Sequence, residues 1–138
     1  MTTVRRLAGM ALLVLAGCGG GYPVAAVSGH VTMNGHALPG AQVTFQPVGS
    51  GADEPGPGSS GVTDDQGRYT LTLLTSNKPG AVVGRHRVMI FTYRPSASKT
   101  EGAIERETIP ARFNLDSKVF FTVPPEGTQV ADFALEKP

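Results

Sequence analysis

The single cysteine of this chain stands where a thiol has a specific use. Cys18 follows Arg5 and Arg6, an apolar run from Leu7 to Leu15 broken only by Gly9, and the small residues Ala16 and Gly17. A lone cysteine forms no intramolecular disulfide, so its thiol is free to be modified. His30, His36 and His86 could bind a metal or act as bases, but no His-Glu-x-x-His or similar spacing links them. His86 is expected as a half-buried strand residue, His36 in a turn, and His30 and His36 as solvated. Asp64-Asp65-Gln66-Gly67 begins like a calcium loop. That loop needs further oxygen ligands and a late glutamate, whereas Thr70 and Thr72 continue a strand, so a β-turn is expected. The serines cluster in loops and suggest no Ser/His/Asp set. Phe91, Tyr93 and Arg94 could form an exposed patch for a glycan or a protein. Phe91 is expected instead to pack in a two-faced central strand. The residues therefore assign no catalytic, metal or cofactor site, and the one site residue is Cys18.

What precedes Cys18 decides its chemistry. A positive start, about nine apolar residues and two small residues form a leader over residues 1–17. The apolar run is too short to cross a ~30 Å hydrocarbon core. Arg5 and Arg6 supply the leader's charge rather than a twin-arginine signal. Leu15-Ala16-Gly17-Cys18 resembles the bacterial lipobox. The resemblance implies that the Cys18 thiol is joined to diacylglycerol, that the leader is cut before Cys18, and that the new amine is acylated with a fatty acid such as palmitate. Two or three acyl chains anchor durably, since each buried methylene contributes about 0.8 kcal/mol and one chain alone binds marginally. Gly19 rather than aspartate follows the cysteine, which points to the outer membrane where there are two. Residues 18–24, with Gly19-Gly20-Gly21, read as a flexible tether.

The elements that follow must form one domain, because about 120 residues remain, enough for a single modest core. The whole chain has 138 residues, with 12 basic and 11 acidic side chains, and this balance gives no electrostatic reason for a nucleic-acid partner. Its 18 glycines and 11 prolines, with recurrent Val, Thr and Phe, favour short strands joined by turns. Period-2 alternation marks strands at Val27–Met33, Ala41–Gln46, Arg68–Leu74, Arg85–Tyr93, Lys118–Val123 and Val130–Leu135, with a short one at Gly61–Thr63. Val27, Gly29, Val31, Met33, Ala41, Val43, Phe45, Tyr69, Leu71, Leu73, Val119, Phe121, Val123, Phe133 and Leu135 should face inward. His86, Val88, Ile90 and Thr92 share one face of the longest strand, and Arg87, Met89, Phe91 and Tyr93 the other. Asn34-Gly35 is a hairpin turn signal. Residues 48–60 read as an exposed mobile loop. Residues 95–110 read as a surface excursion with a helical turn around Gly102–Glu107. About seven short strands over residues 25–138 predict an all-β sandwich.

These motifs, in order, resemble a known family. Val27-Ser28-Gly29-His30-Val31, Asn34-Gly35, Leu38-Pro39-Gly40-Ala41, Thr63-Asp64-Asp65-Gln66-Gly67-Arg68-Tyr69, Gly84-Arg85-His86-Arg87-Val88 and Ile109-Pro110-Ala111-Arg112-Phe113-Asn114 are similar to short planctomycete-type bacterial lipoproteins. Those carry one carboxypeptidase regulatory-like, transthyretin-like domain. The resemblance covers residues 25–136. It implies a transthyretin-like or immunoglobulin-like β-sandwich with a non-catalytic structural or interaction role in the cell envelope, the membrane as one partner, and envelope proteins or glycans as others. Hydroxyisourate hydrolases share the transthyretin fold, but their C-terminal Tyr-Arg-Gly-Ser is replaced here by Leu135-Glu136-Lys137-Pro138. Oligomeric state is not legible in the sequence.

Overall fold

The computed structural model describes residues 21–49, 54–94 and 106–138. Cys18 and the leader lie outside these residues, as does most of the helical turn expected around Gly102–Glu107. The described part is almost entirely β. In chain order the strands are β1 (Val24–Ala25), β2 (Ser28–Met33), β3 (His36–Ala37), β4 (Ala41–Pro47), β5 (Ser59–Val62), β6 (Arg68–Thr70), β7 (Thr72–Leu73), β8 (Ala81–Val82), β9 (Gly84–Thr92), β10 (Val119–Val123) and β11 (Phe133–Leu135). One 3-10 turn spans Ala111–Phe113.

Two layers carry the core. The larger sheet runs β10-β9-β4-β5-β7. The smaller has β2 at its heart, with β3 and β6 antiparallel to it and β11 parallel to it. A further pair, β1 with β8, closes one pole. Alternation explains the burial. Ala41, Val43, Phe45 and Pro47 point inward on β4, as do His86, Val88 and Ile90 on β9. Val31, Tyr69 and Leu135 meet them from the smaller sheet. The layers join through aromatic edges: Phe133 of β11 stands 6.1 Å from Phe45 and 6.2 Å from Phe121, which lie 5.7 Å apart within the larger sheet. Such tilted pairs add to the stabilisation from burial alone.

Turn chemistry follows the sequence. Asn34 and Gly35 both have positive φ, 51° and 82°, the conformation a two-residue hairpin turn requires. The hairpin is tight enough that His36, expected in the turn, instead opens β3 opposite Met33. The Asp64 carboxylate accepts the N–H groups of Gln66 and Arg68, both at 2.9 Å, and so holds the next turn. Thr63 is buried and makes the equivalent link at the start of β4: its hydroxyl accepts the Ala41 N–H (2.8 Å) and donates to the Leu38 carbonyl (2.6 Å).

The expected strands differ from the observed ones in several places, each for a tertiary reason. The segment Arg68–Leu74 is one alternating run but two strands. β6 pairs with β2 in the smaller sheet, β7 pairs with β5 in the larger, and fully buried Leu71 is the crossing point. This split and the two-residue strands raise the count from about seven to eleven among the described residues. Two residues carry no readable period. The 48–60 loop ends early, because Ser59 and Ser60 already belong to β5. The last strand begins at Phe133, and Val130 is exposed. The last two residues of the expected tether, 18–24, are held by the sandwich instead: the Pro23 carbonyl accepts the Val83 N–H (2.8 Å) and Val24 pairs with Val82. The 95–110 excursion returns to the core at its end, with Ile109 buried.

Gly29 explains a close crossing. An added Cβ there would lie 1.9 Å from the Ala131 carbonyl oxygen. The same carbonyl accepts the hydroxyl of buried Tyr69, whose pKa burial and the nearby Asp132 carboxylate push upward. A glycine on β2 and a tyrosine on β6 thus fix the segment leading into β11.

Candidate functional site

The structure places the three histidines apart. His30 lies on β2, where its ring Nε2 donates to the Gln66 carbonyl (2.5 Å). His36 is exposed on β3. His86 is fully buried on β9, in the other sheet. Among the described residues no three His, Cys, Asp or Glu side chains are grouped to hold a metal ion. Ser28, His30 and Asp132 share an open cleft of about 540 Å³ with Arg68 and Gln129. They do not form a relay there, because Asp132 accepts the backbone N–H of His30 (2.8 Å) while the imidazole is tied to Gln66.

His86 carries a different kind of information. Its Nε2–H donates to the Val82 carbonyl (2.6 Å), its ring lies 5.4 Å from that of Phe45, and its Nδ1 has no hydrogen-bond partner. Burial lowers its pKa, against the pull of the Val82 and Phe45 backbone carbonyls. The folded ring therefore resists protonation at a pH where the unfolded chain accepts a proton, near 6.5. Stability should be full above that pH and fall as pH drops below it, at a slope of up to about 1.4 kcal/mol per pH unit. Urea midpoints at pH 7.5 and pH 5.0 check this. His86→Phe should flatten the difference, and an equal difference in both proteins would place the acid sensitivity elsewhere.

The face best suited to a ligand is the outer side of the larger sheet. Opposite the buried row of β9 stand Arg85, Arg87, Met89 and Phe91, with Tyr93 just beyond the strand. Phe91 does not enter the core as expected. It lies half-buried on this outer face, because the inward row is already filled by His86, Val88 and Ile90. Register places Gln42 of β4 beside Phe91, Thr44 beside Met89 and Gln46 beside Arg87. Val62 and Ser60 of β5 continue the rows of Gln42 and Thr44. Phe120 of β10 lies beside Arg87, and the Arg85 guanidinium sits 4.0 Å above its ring.

Arg87 is pinned by donating to the carbonyls of Ser117 (2.8 Å) and Leu115 (2.6 Å). At the far end of β9, Glu107 accepts the N–H and hydroxyl of Thr92 and the Ile109 N–H. Burial raises its pKa, but these bonds and nearby Arg94 outweigh that and hold it below the usual carboxylate range. The result is a face of rings, a thioether, amides, hydroxyls and two guanidiniums, on a strand held through Arg87 and Thr92. Phe120 and the two glutamines were not singled out from sequence. The signal was present in the alternation of Val119, Phe121 and Val123, which leaves Phe120 on the opposite side.

No protein-family model matches the chain, and neither curated proteins nor solved structures provide a match.

Proposed function

We propose that this chain is a lipid-anchored cell-envelope module that works by binding rather than by catalysis, and that it binds glycan strands on the outer face of its larger sheet. The leader and Leu15-Ala16-Gly17-Cys18 support the anchor, placed on the outer membrane where one exists. The resemblance to small lipoproteins with a carboxypeptidase regulatory-like, transthyretin-like domain supports the module reading. The observation that carries the ligand class is the outer row of β9 with its neighbours. Half-buried Phe91 and exposed Phe120, whose ring also carries the Arg85 guanidinium, offer apolar surface to the C–H side of a sugar. Gln42, Gln46 and Thr44 offer amide and hydroxyl groups, both donors and acceptors, to sugar hydroxyls. Amides, hydroxyls and the guanidiniums of Arg85 and Arg87 beside rings suit a hydroxyl-rich polymer better than an apolar protein surface.

The test is a binding assay of the exported protein on a panel of soluble polysaccharides. Phe91→Ala and Phe120→Ala should each weaken binding about tenfold, the size expected for loss of one ring contact of about 1.4 kcal/mol. Val130→Ala, on the exposed segment before β11, should leave binding unchanged. Equal binding by all three variants would remove this face from consideration. Retention of an envelope protein in place of any polysaccharide would replace the glycan as ligand.

A further inference from the structure

We infer that the pole of the sandwich where the chain enters rests against the membrane surface, with Tyr22 and Val48 at headgroup level. This rests on the lipid-anchor reading of Cys18. Five peptide steps separate Cys18 from Pro23, and whatever their conformation they span at most ~18 Å. Pro23 is a fixed point, because its carbonyl accepts the Val83 N–H and the next two residues pair with β8. The entry pole is thereby confined to the immediate neighbourhood of the acylated residue. The opposite pole, with Asn34-Gly35, Gly40 and Tyr93, lies a strand length away, ~20 Å for the seven residues of β4.

The side chains at the entry pole fit that setting. Tyr22, Pro23, Val48, Pro55, Val82 and Arg85 line one open cleft, of about 480 Å³, between the ends of β4 and β9. Tyr22 is 47% exposed and Val48 40%, although both stand beside the packed end of the sandwich. A tyrosine with a ring body and a polar tip is suited to the membrane–water interface. Arg85 has a long apolar stem and a charged head, which lies 4.0 Å over the Phe120 ring at the edge of this pole and can stay with the headgroups. Glu54 lines the same cleft and offsets that charge, so the contact needs no anionic lipid.

The chain contains no tryptophan, so a single introduced indole reports its own surroundings. Lipidated protein carrying Val48→Trp, or the more conservative Tyr22→Trp, would be reconstituted into phosphatidylcholine vesicles containing brominated acyl chains. Either indole should be blue-shifted and at least twofold quenched relative to vesicles of unbrominated lipid. Tyr93→Trp, at the far pole, should be unchanged. If the protein floats with the vesicles and the indoles at both poles remain unquenched, the orientation is overturned and the anchor stands. If the lipidated preparation does not float, both readings fall together.

Discussion

Replacing Phe45 with alanine should destabilise the domain by about 3–5 kcal/mol, the cost of removing a fully buried aromatic side chain. Phe45 is completely inaccessible and sits on the central pair β4 and β9. It touches both layers, through His86 and Phe121 in its own sheet and Phe133 in the other. Its loss therefore leaves a cavity between layers that neither sheet can close without giving up its own register. For a domain of this size the melting temperature should fall by roughly 12–20 °C, measured by circular dichroism in parallel with urea unfolding. Total stability of such domains is only about 5–15 kcal/mol, so the alanine variant could be largely unfolded at 37 °C. Phe45→Leu keeps the apolar volume and should recover more than half of the loss. A shift below about 3 °C for the alanine variant would mean that the two sheets do not meet at this ring.

Cys18→Ser should move the protein from the membrane fraction to the soluble fraction and abolish incorporation of labelled palmitate. A serine hydroxyl cannot form the thioether through which the diacylglycerol is held. With no acyl chain, nothing replaces the roughly 0.8 kcal/mol that each buried methylene contributes. The contact proposed at the entry pole would supply only a tyrosine, a valine and an arginine, too little to retain a domain on a bilayer. The effect is close to all-or-none, which makes it the sharpest test of location. Unchanged labelling, or an unmodified amino terminus elsewhere in the native protein, would refute the anchor. The two experiments are independent, because Phe45 lies in the core and Cys18 precedes the paired residues.

The local features of the domain were written in the sequence. Alternating residues identified the inner rows of β2, β4 and β10 and divided β9 into two faces, because a strand shows successive side chains to opposite faces whatever it pairs with. Asn34-Gly35 specified its own turn, since both residues tolerate positive φ. The proposed lipid site at Cys18 was read from the linear order of charge, apolar run and small residues, and it needs no folded context.

Tertiary structure decided the rest, because period-2 alternation defines two faces without saying which is covered or by what. Only packing shows that Arg68–Leu74 changes sheets at Leu71 and that β11 lies parallel to β2. Gly29 becomes intelligible once Ala131 is seen crossing it, and Ile109 joins the core from a segment with no strand pattern. Phe91 shows the distinction most clearly. Its neighbours in sequence allowed it either to pack inside or to face out. His86, Val88 and Ile90 fill the inner side of β9, and that non-local choice leaves Phe91 on the surface with Gln42 beside it.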